Sequence, residues 1–479
     1  MAMKKTVNKT MRWLVWLVFF NFLFLGGLIA GCSKKEQSIT LTVWHVYGGQ
    51  TDSPLNVMIE EFNQTVGKEK GITLQVTQVS NTNTIHKAVL AASKNEPGAA
   101  DLPDLFISYP KTLLAMSDSS VLVDFQDYFS EEELSSFVPA FLQEGMIDEE
   151  LLVLPVAKST EILFVNQTLF ERFATETGAN LEQLKTWEGL FQMSKEYRKW
   201  TDHQTPEVVG DGKSLFVHDY HFNYLQVGIT SMGEDFFKEG TIAFDQNFTK
   251  AWLPYARAAI QGGIWLQDGY ATEPLRTGEI IVSVASSASV LYYEDIVTYP
   301  NNISEPITVQ AFPIPIFEDG SRLVMQRGAG FCLTKSTPER EKAASEFLKW
   351  LTEPKCNVRF VTQVGYMPVK KDAFTYLPEA VTSMKNPKYK SLYEAFIQTQ
   401  QDYSFYTAPQ LSNYLELEME VEKNARKILR EARENYVAEV ASWKGLSAEE
   451  KESREEQLAQ QLALESLANF QDMIEQFQE

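Results

Sequence analysis

Apolar positions recur along this chain with two periods, and the period switches repeatedly. Residues 39–44 read Ile-Thr-Leu-Thr-Val-Trp, alternating and β-branched, which predicts a strand. Over 55–66 the apolar residues Leu55, Met58, Ile59 and Phe62 stand three or four apart, the spacing of a helix with one buried face. A strand over 72–77, a short helix over 86–93 and a strand over 105–108 follow. Strands that alternate with helices require crossover connections and imply a largely parallel sheet. The alternation continues with strands at 151–155 and 162–166 and a helix over 187–200 with Thr186 as its N-cap. A polar loop over 202–214 leads to a helix over 248–261, ended by the Gly262-Gly263 pair. Next come an apolar strand at 280–284 and a helix over 337–352 with Pro338 in its first turn.

The two ends depart from this pattern. Residues 411–443 have a helical apolar stripe, Lys444-Gly445-Leu446 interrupts it, and Ser447-Ala448-Glu449-Glu450 is a capping box for a second helix carrying Leu458, Leu462, Leu467, Phe470 and Ile474. This predicts an αα-hairpin, 411–479, packed on one lobe with an acidic outer face; a free interaction arm is the alternative. At the other end, Lys4, Lys5, Lys9 and Arg12 precede an apolar run from Trp13 to Ala30. A membrane-spanning anchor is one reading of that run. The other is a cleaved export signal, because the run ends in Leu28-Ile29-Ala30-Gly31-Cys32 and a polar leash, 32–38, follows.

Composition narrows the function. Removing residues 1–31 leaves 39 basic against 64 acidic side chains, a net charge near −25. So acidic a surface excludes nucleic acid as a partner. About 450 residues exceed one ordinary core and suit two domains. Apart from Cys32, only Cys332 and Cys356 remain, which could pair or stay as buried thiols, and neither has zinc-site spacing. Nucleophile elbows, zinc motifs and phosphate loops are missing from the sequence.

Several segments together resemble the sugar and glycerol-phosphate (family 1) solute-binding proteins of ABC importers. They are Trp44-His45-Val46-Tyr47-Gly48-Gly49, Pro103-Asp104-Leu105-Phe106, the crossover from Leu154 through Ser159-Thr160 to Asn166, Thr186-Trp187-Glu188-Gly189-Leu190, Ala285-Ser286-Ser287-Ala288-Ser289, and Gly365-Tyr366-Met367-Pro368. The stretch ending in Cys32 resembles the lipobox of bacterial lipoproteins, which implies a signal peptide over 1–31 and a diacylglyceryl group on Cys32. The resemblance implies an α/β fold of the two-lobed periplasmic-binding-protein type, with an interlobe cleft and a C-terminal helical extension. The lobes are expected at 38–157 with 323–366 and at 158–322 with 367–479. It further implies a monomer, lipid-anchored on the outer face of the membrane, that delivers a small solute to an ABC permease and uses no cofactor.

A cleft for a sugar or polyol needs hydrogen-bonding side chains for hydroxyls and flat apolar faces for C–H surfaces. Polar and aromatic residues just after strands are therefore candidates, namely His45, Tyr47, Asn83, Tyr109, Ser286 and Ser287; the resemblance adds Ser159 at the crossover, Asp219 and Phe222 in a cluster similar to a cleft segment of the family, and Tyr366 in the return segment, while Gly328 offers a close backbone approach. Arg327, beside Gly328, could add a cation. His218 and His221 lie three apart, but no third metal ligand accompanies them, so a metal site is not expected. The 403–414 stretch, where the glycerol-phosphate branch carries a cleft arginine, holds neither Lys nor Arg, which favours a neutral carbohydrate over a polyol phosphate. A secreted carboxylate-pair hydrolase and a surface interaction protein are the competing classes.

Overall fold

The computed structural model describes residues 38–48, 53–116, 118–208 and 210–478. The export signal, the tether and Cys32 lie outside the described residues. In chain order the principal elements begin with β1 (Ile39–His45), α1 (Pro54–Gln64), β2 (Ile72–Val79), α2 (Thr82–Ser93), β3 (Leu105–Ser108), α3 (Pro110–Leu114) and β4 (Leu154–Pro155). A second group follows: β5 (Ser159–Asn166), α4 (Trp187–Asp202), β6 (Phe216–His218), α5 (His221–Ser231), α6 (Gln246–Ile260), β7 (Val282–Ser286), β8 (Val309–Pro313) and β9 (Leu323–Arg327). The chain ends with β10 (Gly330–Leu333), α7 (Pro338–Leu351), α8 (Pro354–Val361), α9 (Pro387–Asp402), β11 (Ser404–Tyr406), α10 (Tyr414–Ser442) and α11 (Ala448–Gln478).

Two sheets result, one per lobe. The first has the order β2-β1-β3-β10-β4, the second β11-β9-β5-β7-β6, with β8 also paired to β5. In the first, β1 to β3 are parallel, as the helix–strand alternation requires. Both sheets are nonetheless mixed, against the expectation of a largely parallel sheet: in the first, β10 is antiparallel to β3 and β4, and in the second, β5 is antiparallel to β7, β8 and β9. The cause is topological. β5 enters from the other lobe, so it begins at the edge where β6 and β7 end.

Local chemistry accounts for the helices. α1 starts at Pro54, and the Ser53 side chain caps it by accepting from the Asn56 amide. Its face of Leu55, Met58, Ile59 and Phe62 is buried, each side chain contributing roughly 1.5–3 kcal/mol. The first helical break comes two residues earlier than the 55–66 spacing suggested, at Thr65. α2 begins at Thr82 rather than 86, because Asn81 caps it through the Thr84 amide at 2.9 Å.

Three strands of chain pass between the lobes side by side. At the first, Lys158 exchanges backbone hydrogen bonds with Met367, its amide donating at 3.1 Å and its carbonyl accepting at 2.6 Å. At the second, Gly328 has φ +102°, and a Cβ there would lie 3.0 Å from the Ser159 nitrogen and 3.1 Å from the Ala157 oxygen. Only glycine meets both conditions. Residues 323–327 pair with β5 and β11, so the chain leaves the second sheet at Gly328, five residues later than the expected boundary. Residues 369–371 still bond to the first lobe, through Val138 and Ser136, so the last crossing also comes after its expected place at 367.

The C-terminal hairpin is part of the second lobe's core. Tyr414, Leu417, Val421 and Leu429 of α10, with Phe470 and Ile474 of α11, are buried against α5 and α6. Trp252 stacks on Phe470 at 4.6 Å, and its indole N–H donates to Ser466 Oγ at 3.0 Å. Cys332 and Cys356 are buried free thiols. Among the described residues, no helix is long and apolar enough to cross a membrane.

Candidate functional site

Strand ends from both sheets converge on one edge. β5 begins there at Ser159, which pairs with Arg327 at the end of β9. Ser286, the last residue of β7, stands opposite Glu161, and Asp219 follows the end of β6. From the first lobe, Tyr109 follows β3, and Gly330 pairs with Ser108 just before it. Tyr366 arrives with the third crossing. Loops at the carboxyl ends of strands, between two lobes, are where small ligands bind in such sheets.

Arg327 is the centre of this edge. Its Nη1 lies 3.5 Å from Glu161 Oε1 and 3.9 Å from Asp219 Oδ2, and its guanidinium sits 4.8 Å from the centre of the Tyr220 ring. Burial opposes the charge on Arg327, but Glu161 and Asp219 outweigh it and hold its pKa above the ordinary value. Nη1 has no hydrogen-bond partner within the protein. Glu161 is buried and accepts from Asn223 Nδ2 at 2.7 Å. Burial pushes its pKa up to about 7, against the pull of Arg327 and Asn223. Burial likewise raises Asp219, while Arg327 and the Ala271 amide work the other way. Gln226 donates to Tyr414 Oη at 3.0 Å and to Asn223 at 3.4 Å, so a buried polar chain runs from Arg327 to α10.

α10 also reaches the opposite lobe. Glu418 Oε2 lies 2.5 Å from Lys111 Nζ on α3. Gln410, just before α10, donates to the Met146 carbonyl of the first lobe. One turn past Glu418, Glu422 accepts the Phe222 amide at 2.7 Å and faces His221 Nδ1 at 3.1 Å.

The sequence candidates divide into two groups. Tyr109, Ser159, Asp219, Ser286, Gly328 and Tyr366 meet at the shared edge. Among them Ser159 is 2% exposed, and its backbone is committed to β9. Ser287 is fully buried and accepts the Thr160 amide at 3.4 Å, which ties its loop to β5. The rest lie elsewhere. His45 is fully buried, with Nε2 2.8 Å from Asn56 Oδ1 and Nδ1 accepting the Tyr47 amide. Tyr47 packs edge-on against Phe360 and Tyr366 at 5.2 and 5.4 Å, inside the hinge. Phe222 is core, edge-on to Tyr414 at 5.3 Å. Asn83 is exposed on the first turn of α2. His45 and Tyr47 stand within two residues of the end of β1, where a single step along the backbone turns a side chain from cleft to core, whereas Asn83 and Phe222 lie in the first turns of α2 and α5.

The sequence reading passed over Lys111, Tyr220, Glu418 and Glu422 and treated Arg327 only as a supplementary cation. A signal for Glu418 was present: it falls in the buried stripe of α10 with Tyr414, Leu417 and Val421, where an acid calls for a partner. Among the described residues, no group of three or more His, Cys, Asp or Glu side chains could hold a metal ion.

Residues 57–390 match the family described as bacterial extracellular solute-binding protein. No curated protein matches the chain by sequence. Solved structures share the fold. UgpB from Mycobacterium tuberculosis, in complex with glycerophosphocholine, superposes with a TM-score of 0.65 at 15% identity, covering 92% of this chain and all of that one. The cyclic alpha-maltosyl-1,6-maltose binding protein from Arthrobacter globiformis gives 0.62 at 17%, covering 90% and 99%. The sugar-binding protein MalE from Xanthomonas citri gives 0.62 at 16%, covering 91% and 100%.

Proposed function

Because the chain belongs to the bacterial extracellular solute-binding proteins, we propose that it captures an uncharged carbohydrate between its lobes and delivers it to an ABC permease. The observation that carries this reading is the Arg327 cluster. Its cation is already balanced by Glu161 and Asp219 and stacked on Tyr220, so a free phosphate gains little net attraction there. A neutral hydroxyl, by contrast, can donate to Asp219 and accept from the part-exposed Arg327 guanidinium. Tyr109, Tyr220 and Tyr366 supply flat faces for the C–H side of a ring. UgpB, with its phosphodiester ligand, and the maltose-type proteins have the same fold, so the electrostatics of the cleft must decide between the two ligand classes.

Thermal unfolding of the chain lacking residues 1–32 tests this against neutral sugars, glycerol 3-phosphate and glycerophosphocholine. Ligand at a hundred times Kd stabilises the native state by about 2.7 kcal/mol, a rise of about 3 °C for a chain this size. A neutral sugar should produce it. A shift only with the phosphate esters would overturn the neutral-ligand reading, and no shift across the panel would overturn carbohydrate capture.

In this reading the chain acts as a monomer held at the outer face of the membrane by a lipid on Cys32. Cys32→Ser should release it into the medium; retention in the membrane fraction would point to the apolar run as a true span.

A further inference from the structure

Helix α5 begins without a cap of its own. Tyr220 holds the N-cap position, where a serine, threonine, asparagine or aspartate would accept a first-turn amide, and its side chain makes no such bond. Its ring lies instead against the Arg327 guanidinium, 4.8 Å away. The acceptor comes from α10, 200 residues along the chain: Glu422 Oε1 takes the Phe222 amide at 2.7 Å, and Oε2 lies 3.1 Å from His221 Nδ1. A carboxylate at the first turn of a helix satisfies free amides and suits the helix dipole. The same stretch of α10 holds the other side of Asp219. Arg426 stands 3.7 Å from Glu422 and donates from Nη1 to the Gln267 carbonyl at 3.2 Å, and Arg430 reaches Asp268 at 3.0 Å. That loop leads to Ala271, whose amide donates to Asp219. Asp219 therefore lies between two segments, 220–222 and 267–271, that are both anchored to α10.

We infer that Glu422, supported by Arg426, is a positioning residue for ligand capture: it caps α5 in place of Tyr220 and so fixes Asp219 and Tyr220 in the arrangement that presents Arg327 to a sugar. This rests on the carbohydrate reading above. The N-cap position is occupied by an aromatic residue that the cleft uses, so the cap has to come from another element. Without it the first turn of α5 is free to fray, and Asp219 and Tyr220, directly before that turn, lose their fixed aim at the guanidinium. Ligand binding must then order them, which lowers affinity.

The test is calorimetric titration of gluco-, manno- and galacto-oligosaccharides of one to four units into the wild-type protein and the variants Glu422→Ala, Glu422→Gln, Arg426→Ala and Phe470→Leu, with thermal unfolding of each. Glu422→Ala should lose about five- to tenfold in affinity. Glu422→Gln keeps an oxygen for the Phe222 amide and should bind within about twofold of the wild type. Arg426→Ala leaves the cap in place but frees the loop to Ala271, and should lose about threefold. Phe470→Leu, in the hairpin core against Trp252, should lower the unfolding temperature and leave affinity unchanged, which separates positioning from loss of stability. Wild-type affinity in Glu422→Ala or in Arg426→Ala, or an equal loss in Phe470→Leu, overturns the positioning role and leaves carbohydrate capture standing. A wild type that binds no sugar overturns both.

Discussion

At the scale of single residues, the position of Glu161 has a measurable consequence. It is buried within reach of Arg327, Asp219 and Asn223, with Glu422 nearby, and burial sets its folded pKa at about 7 against an ordinary 4.5. Between those values the folded chain keeps a proton that the unfolded chain has lost. The contribution of Glu161 to stability is therefore greatest below about pH 4.5, falls as pH rises, and levels off above about pH 7. His45, His86 and His218, buried with lowered pKa values, act in the opposite sense, so the wild-type slope is a sum. Urea unfolding at pH 5 and pH 8 should show that Glu161→Gln gains stability relative to the wild type at pH 8; an equal difference at both pH values would refute the assignment. Arg327→Ala leaves Glu161 and Asp219 without their cation and should cost roughly 3–5 kcal/mol, less in the Glu161→Gln background. This centre was only partly legible in the sequence. Serine and tyrosine after a strand announce a binding edge, but which side of the strand faces it depends on register. His45 stands at a strand end and Phe222 in a segment that resembles a cleft segment of the family, but neither observation shows that the side chain turns into the core. The partners of Arg327 come from 161, 219 and 220, and only the fold brings them together.

Among the elements, α10 and α3 hold the lobes across the cleft. The Lys111 and Glu418 side chains are 23% and 11% exposed, so their ion pair is sheltered from solvent and stronger than a surface pair. Glu418→Gln leaves Lys111 without its partner and should favour the open arrangement, raising the radius of gyration in solution scattering and weakening ligand binding by roughly tenfold, the equivalent of about 1.4 kcal/mol. Replacing both residues by methionine should recover much of the closure, since an apolar pair removes the stranded charge. Scattering curves identical in the wild type and Glu418→Gln would show that the pair does not influence closure. The elements themselves were read well where local chemistry decides them. Thr186 caps α4 through the Gly189 amide at 3.1 Å, and Ser447 with Glu450 makes the expected box before α11. The misreadings have long-range causes. The sequence marks β5 as a strand at a crossover, but its antiparallel pairing with β7, β8 and β9 follows from the edge at which it enters the second sheet. The start of α2 is not legible in the periodicity, because Thr82, Asn83 and Thr84 are polar and become helical only where Asn81 caps them.

For the whole molecule, the hairpin decides what counts as a lobe. Its acidic outer face suggests a separable arm, but its inner face completes a core. Tyr414, Leu417, Val421, Leu429, Ala463, Phe470 and Ile474 are buried against Phe222, Phe248, Trp252 and Tyr255. At roughly 1.5–3 kcal/mol for each large side chain, their burial is comparable to the roughly 5–15 kcal/mol by which a domain is normally stable. Deleting 411–479 should therefore unfold the second lobe rather than trim it. The truncated chain should lose near-ultraviolet dichroism, expose sites in 158–322 to protease and fail to bind ligand, while a soluble truncated chain with a cooperative transition and wild-type affinity would contradict this. The consequence reaches the hinge. α10 supplies Tyr414 to the buried chain behind Arg327 and Glu418 to the contact with α3. One helix thus couples the stability of the second lobe, the aim of the central guanidinium and the contact that closes the cleft. A helix joined to the lobe only by its exposed face could not transmit closure; one that forms the core moves with the lobe as a single body, as rotation about three adjacent crossings requires.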